Sequence, residues 1–194
     1  MWKWLIVLAV LYGGYQEVSH REVHHAAGVL AAGEPEQTAL ASPPHLQLGN
    51  YAIEPLAGYH ITARVLGTES YHIGRESDLS PLDLAVGWGA MSNTEVLSRI
   101  TVSQGGRFVH WRTSDYPIAH SQIVSHIANM HMIPADAGVL RALKRIRPGQ
   151  VATLDGYLVE ATAPDGWHWR SSLTRDDDGY GACELMWVTS ASSR

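Results

Sequence analysis

Apolar and polar residues alternate along most of the chain beyond residue 50, which is the pattern of half-buried β-strands. We predict strands at residues 51–56, 59–66, 100–104, 107–112, 151–161, 167–173 and 182–188. Gly105-Gly106 and Asp165-Gly166 stand between consecutive runs and predict hairpin turns. The pattern therefore predicts a sheet-rich domain.

Helical signals are fewer. Ser80-Pro81, followed by an acid at Asp83, predicts the start of a short helix, and Asn93 predicts the cap of a second one. Apolar residues within 137–146 recur on one helical face, which predicts an amphipathic helix. Residues 118–132 fit either a helix or a strand. We predict a mainly β, α+β fold: a small antiparallel barrel or curled sheet behind an N-terminal hydrophobic helix.

The N-terminal residues 1–15 contain a short apolar run with aromatic residues at both ends. The run is shorter than the ~20 residues of a spanning helix and matches the ~7–15 of a signal peptide, but no clear cleavage site follows it. An uncleaved membrane anchor is the favoured interpretation; a cleaved signal and a buried N-terminal strand are the alternatives. Lys3 favours an orientation with the N-terminus inside and the main domain outside.

Three regions follow from these patterns. Residues 1–15 are an anchor or signal segment, residues 16–50 are a linker containing Pro43-Pro44, and residues 51–190 are a single β-rich globular domain. The chain has 194 residues, which is enough for one domain with extensions.

Composition narrows the classes of partner. The formal net charge is −5, and the sequence has no basic stripe, so we expect no nucleic-acid partner. The chain has seven Trp and eight Tyr but one Phe. These amphipathic side chains favour half-buried positions, as at sheet edges or a membrane surface.

The lone cysteine, Cys183, is the first candidate for chemistry. It cannot form an intramolecular disulfide, so it is buried, reactive or paired with another molecule. A nearby His or Arg would lower its pKa and make it a nucleophile. Strand alternation places Cys183 with Leu185 and Trp187, opposite a partly wet Glu184 face, which favours the interpretation of a buried small side chain.

The segment 125–134 supplies the candidate bases. On a strand, Asn129 and His131 would share a face and His126 would point away; on a helix, His126 and Asn129 would be neighbours. Neither arrangement pairs the two histidines as metal ligands, so we predict no metal and no cofactor. A purely structural role, with hydrogen bonds to the backbone, is the alternative for each of these residues.

Two sets of candidate site residues follow. The catalytic candidates are Cys183, His131, His126 and Arg175, and the binding candidates are Asn129, Trp167, Trp169 and Glu184. The aromatic residues of the second set alternate with His168 and Arg170, as in a cation-lined groove or in a strand with one core face and one wet face.

Three segments, 79–89, 128–135 and 171–175 with 181–184, together resemble a family of small bacterial membrane-anchored proteins, which implies no particular activity. A fainter resemblance is to sortases, membrane-anchored β-barrel transpeptidases with a His upstream of a Cys and an Arg on the following strand. His131 and Cys183 match that order. The chain departs from it because Tyr180-Gly181-Ala182 replaces the usual residues before the cysteine and because the only Arg downstream is Arg194.

These observations lead to two hypotheses. The first is a protein held by one pass in the bacterial inner membrane, with a periplasmic C-terminal domain that binds a protein partner or an envelope component. The second is a cysteine-dependent enzyme, a sortase-like transpeptidase or thiol hydrolase, that uses Cys183 with a His base.

Overall fold

The structure, a computed structural model, describes residues 21–174 and 183–194, with Trp2 as a single residue before them. The described residues are mainly β, as the sequence predicts, with a few short helices. The strands are β1 (Glu36–Thr38), β2 (Leu46–Leu48), β3 (Tyr51–Ser70), β4 (Leu82–Gly87), β5 (Thr101–Gly105), β6 (Phe108–Arg112), β7 (Ile127–Pro134), β8 (Val151–Thr162), β9 (His168–Arg170) and β10 (Glu184–Ser193). The helices are α1 (Arg75–Leu79), α2 (Thr94–Leu97), α3 (His120–Val124) and α4 (Ala137–Leu143), with a 3-10 turn at Gly89–Ser92.

Five strands pair in a ring. β3 is antiparallel to β4, and β4 is antiparallel to β7. β7 is parallel to β10, β10 is antiparallel to β8, and β8 is antiparallel to β3. Outside the ring, β1 and β2 pair antiparallel with β3, and β9 pairs antiparallel with β8. The hairpin β5–β6 forms a separate two-stranded sheet.

Alternate side chains from all five ring strands meet in one apolar cluster. Helix α4 covers this cluster, with Val139 and Leu143 among its buried residues. The helix starts where its cap allows: the Asp136 carboxylate accepts hydrogen bonds from the backbone N–H groups of Gly138 and Val139. This confirms the predicted amphipathic helix, which ends three residues earlier than its apolar pattern.

A second apolar cluster lies on the other side of the ring strands. It contains Leu79 from α1, Ile133 from β7, and Leu185 and Trp187 from β10. The first five residues of β10, Glu184 to Val188, are therefore buried on both faces, and Glu184 is only 6% exposed. The prediction of a partly wet Glu184 face is wrong, because period-2 alternation separates two faces but cannot say that both are covered.

The helix predicted after Ser80-Pro81 is also wrong. Leu82–Gly87 is strand β4, and all six of its residues are buried between β3 and β7. Pairing on both edges outweighs a local capping signal, because propensity is a weak prior beside tertiary packing. Three other local predictions are confirmed: Asn93 caps α2, and β5–β6 and β8–β9 form the two predicted hairpins. The runs predicted as two strands, 51–56 and 59–66, form the single strand β3, and the strand predicted at 167–173 is limited to β9.

Residues 21–50 follow the surface of the domain. β1 and β2 pair with β3, and the buried Ala31 accepts a hydrogen bond of 2.8 Å from the Gly89 N–H. The predicted anchor at residues 1–15 lies outside the described residues, apart from Trp2. In the part of the chain that the structure describes, no helix has the length and apolar character needed to span a membrane.

Candidate functional site

An open cavity of about 580 Å³ lies on the outer side of β7, which we call the Trp169 cavity. This volume is within the ~300–1,000 Å³ typical of small-ligand sites. Its walls come from the start of α1, the β5–β6 turn, β7, β9 and the residue before β10. The lining side chains used below are Tyr71, Glu76, Arg107, Phe108, His131, His168, Trp169, Arg170 and Cys183.

The floor of the cavity is built on a buried carboxylate, Asp83, which is fully inaccessible. Asp83 lies opposite His131 in the β4–β7 pairing, so the two side chains share a face. Asp83 Oδ1 accepts a hydrogen bond of 2.8 Å from Arg107 Nη1, and Asp83 Oδ2 accepts one of 3.1 Å from Asn129 Nδ2. A buried charge needs such partners, so Asp83 sets the positions of the groups around it.

Arg107 reaches Asp83 from the turn of the β5–β6 hairpin. Gly106 and Arg107 have φ values of 60° and 69°, as a two-residue type I′ turn requires. A left-handed conformation costs a non-glycine residue roughly 1 kcal/mol, so an Arg here is unusual. The ion pair with Asp83 and the stacking of the guanidinium 4.0 Å from the Tyr71 ring centre offset that strain.

Further hydrogen bonds lock the turn in place. Asn129 Nδ2 donates to the Arg107 carbonyl oxygen at 2.9 Å, and Gln104 Nε2 donates to Asn129 Oδ1 at 2.7 Å. The Arg107 N–H donates to the Tyr71 hydroxyl at 3.0 Å. Burial raises the pKa of Tyr71, and the nearby Asp83 carboxylate raises it further. These contacts join the β5–β6 turn to β7 and to the residue that follows β3.

His131 is nearly buried, with 4% of its side chain exposed. Its Nδ1 lies 3.0 Å from Asp83 Oδ2, but the two groups are not aligned as a hydrogen bond, and Nδ1 has no hydrogen-bond partner among the described residues. The ring centre lies 4.7 Å from that of Trp169, which holds the imidazole against the cavity wall.

Cys183 is half-buried and lines the same cavity as His131. Its Sγ–H donates a weak hydrogen bond to the Arg107 carbonyl oxygen at 3.7 Å. An imidazole and a thiol therefore line one cavity, with the Asp83 carboxylate buried behind His131. These are the three group types of a nucleophile, its base and the group that orients the base.

Of the other candidates, Trp169 lines the cavity, whereas the remaining residues do not. His126 is separated from the cavity, with its Nε2 3.2 Å from Glu34 Oε1 and its ring 6.1 Å from that of Trp88. Arg175 lies outside the described residues. Glu184 is buried and lies opposite Met130 in the β7–β10 pairing, on the side of the first apolar cluster, which α4 covers. Asn129 belongs to the Asp83 network described above.

Trp167 lies beside the cavity without lining it. The Arg75 guanidinium sits 4.6 Å from its ring centre and makes two hydrogen bonds, of 2.7 and 2.9 Å, to the Asp165 carboxylate. The hydrogen bonds from Arg75 lower the pKa of Asp165 to about 2. This pair joins α1 to the β8–β9 turn and so connects two walls of the Trp169 cavity.

Sequence reasoning missed Asp83 and Arg107. The available signal was an acid between Leu82 and Leu84, which is unusual in an apolar run and implies a buried partner. In the part of the chain that the structure describes, no three His, Cys, Asp or Glu side chains are arranged to hold a metal ion.

No protein-family model matches this chain, and no curated protein or solved structure does so either. Function is therefore inferred from the chemistry of the site.

Proposed function

We propose that the chain is a membrane-tethered extracytoplasmic protein whose β domain binds an envelope component or a partner in the Trp169 cavity. The observation that carries the proposal is the cavity itself: an open site with aromatic walls and a polar floor fixed by Asp83 and Arg107. Concave sites with apolar walls and a few positioned polar groups are where proteins bind ligands.

We also propose that the five ring strands close into a small barrel of the OB type. Numbered along the chain, the strands β3, β4, β7, β8 and β10 pair in the order first, second, third, fifth, fourth and back to the first. The single parallel pair joins the third and fifth strands, and α4 lies between the third and fourth. Five strands in a Greek-key arrangement around one core characterise the OB fold.

The tether is tested by deleting residues 2–20 and fractionating cells that express the full chain or the deletion. We expect the full chain in the membrane fraction and the deletion in the soluble fraction, because the apolar run is the only such segment of the sequence. A C-terminal phosphatase fusion, active only outside the cytoplasm, reports the orientation. Retention of the deletion in the membrane fraction would contradict a tether at the N-terminus.

A second candidate function is a cysteine-dependent enzyme, a sortase-like transpeptidase or thiol hydrolase. The specific observation in its favour is that Cys183 and His131 line one cavity with Asp83 behind the imidazole. In this proposal His131 takes the thiol proton, the thiolate attacks a substrate carbonyl, and the protonated imidazole returns the proton to the leaving group. Water or an amine then releases the acyl group from sulfur.

A further inference from the structure

The Trp169 cavity lies where OB folds bind extended polymers. Such folds use the face of their second and third strands together with the loops that join the first strand to the second and the fourth to the fifth. Here His131 on β7 reaches the cavity from that face, with Asp83 on β4 buried behind it. Tyr71 comes from the first of those loops, and Trp169 and Cys183 come from the second.

The walls have the chemistry of a sugar site. Tyr71, Phe108 and Trp169 supply aromatic surface, on which the apolar C–H faces of a pyranose ring can lie. His168 and Arg170 are exposed on β9 at the same cavity and can hydrogen-bond hydroxyl or acetamido groups. The Glu76 carboxylate can accept hydrogen bonds from sugar hydroxyl groups.

The charges of the site disfavour the other common ligand of this fold, single-stranded nucleic acid. Such binding needs cations that are available to phosphates along a groove. The charge of Arg107 is neutralised by Asp83 and that of Arg170 by Glu160. The Arg170 ion pair joins only Nη1 to Glu160, so the guanidinium can still donate hydrogen bonds to neutral hydroxyl groups. The chain as a whole carries a net charge of −5.

We infer that the Trp169 cavity binds an oligosaccharide, in keeping with the glycans of the cell envelope. This inference rests on the proposed binding function and on the proposed barrel. It assigns a ligand class to the site: a saccharide with one ring stacked on the aromatic wall and its polar groups directed to β9.

The test is calorimetric titration of the full chain in detergent with peptide-free glycan strands from bacterial sacculi, with chitotetraose and with maltotetraose. We expect saturable binding of at least one of these, weakened about tenfold by Trp169→Leu, which keeps apolar bulk but removes the aromatic face. The matched control is Trp111→Leu. Trp111 is a half-buried Trp that contacts Tyr116 and His120 away from the cavity, and its replacement is expected to leave the affinity unchanged.

Arg170→Gln is a second variant, chosen in case Trp169→Leu weakens binding only because it disturbs the fold. This side chain is 51% exposed, so the variant is expected to fold and to bind several-fold more weakly. Binding of none of the three glycans, or equal weakening by Trp111→Leu, would overturn the inference. Binding of a thymidine oligonucleotide that Trp169→Leu abolishes, with no glycan bound, would overturn it as well.

A second experiment, with lipid and protein fractions of the envelope, distinguishes a wrong ligand class from a wrong proposed function. The readout is the rate at which iodoacetamide alkylates Cys183. If a lipid or protein fraction slows this rate and glycan does not, the cavity is a binding site, but its ligand is not an oligosaccharide. If neither glycan nor any fraction changes the alkylation rate, both the oligosaccharide inference and the proposed binding function are wrong.

Discussion

Replacing Asp83 with Asn is expected to lower the free energy of unfolding by about 3–5 kcal/mol, the usual effect of removing one partner from a buried ion pair. The substitution keeps the size of the side chain but leaves the Arg107 guanidinium, whose side chain is 17% exposed, without its counter-charge at 2.8 Å. Urea unfolding followed by tryptophan fluorescence measures the change, because a loss of stability lowers the midpoint at a constant slope.

Asp155→Asn is the matched control. Asp155 pairs with His60 at 2.6 Å, but both side chains are nearly half-exposed, so water replaces the lost contact. Exposed pairs contribute less than about 1 kcal/mol. An unchanged midpoint for Asp83→Asn, or equal shifts for the two variants, would show that Asp83 does not organise the cavity floor.

The second large effect concerns the reactivity of Cys183. If the cysteine is catalytic, its alkylation by iodoacetamide at neutral pH should be at least about tenfold faster than that of a model thiol, because only the thiolate reacts. His131→Gln should remove this acceleration, since glutamine cannot take the proton. The measurement is the rate of alkylation across the neutral pH range, read by mass spectrometry.

His126→Gln provides the control, because His126 lies beside Glu34 and Trp88 and not in the cavity. This variant should alkylate at the wild-type rate. A wild-type rate no faster than that of the model thiol would exclude the enzyme hypothesis. The binding function would then stand alone.

Much of the β architecture was readable in the sequence. The alternating runs mark β3, β5, β6 and β8, and the strand interpretation of residues 125–134 correctly places Asn129 and His131 on one face, because both contact or approach Asp83. Alternation is a local signal and therefore reports each strand's two faces well. It does not report which strands become neighbours.

The errors have that same origin. Ser80-Pro81 resembles a helix start and predicts a helix where the structure has β4, because pairing of β4 with both β3 and β7 buries all of its residues. That prediction makes Asp83 a capping acid, and the ion pair of Asp83 with Arg107, which lies 24 residues away, does not follow from it. Such contacts depend on how the strands close, and one sequence does not encode them in any local pattern.

The central claim is that the Trp169 cavity is a binding site, and Cys183 offers a direct reporter within it. An unfractionated digest of bacterial envelope should slow alkylation of Cys183 in the full chain several-fold and in a saturable way, and Trp169→Leu should raise the amount of digest needed for this protection about tenfold. The double variant Cys183→Ser, Ser98→Cys carries its thiol on an exposed helix end and should be alkylated at the same rate with and without the digest. Alkylation of Cys183 at one rate whether or not the digest is present would contradict the claim.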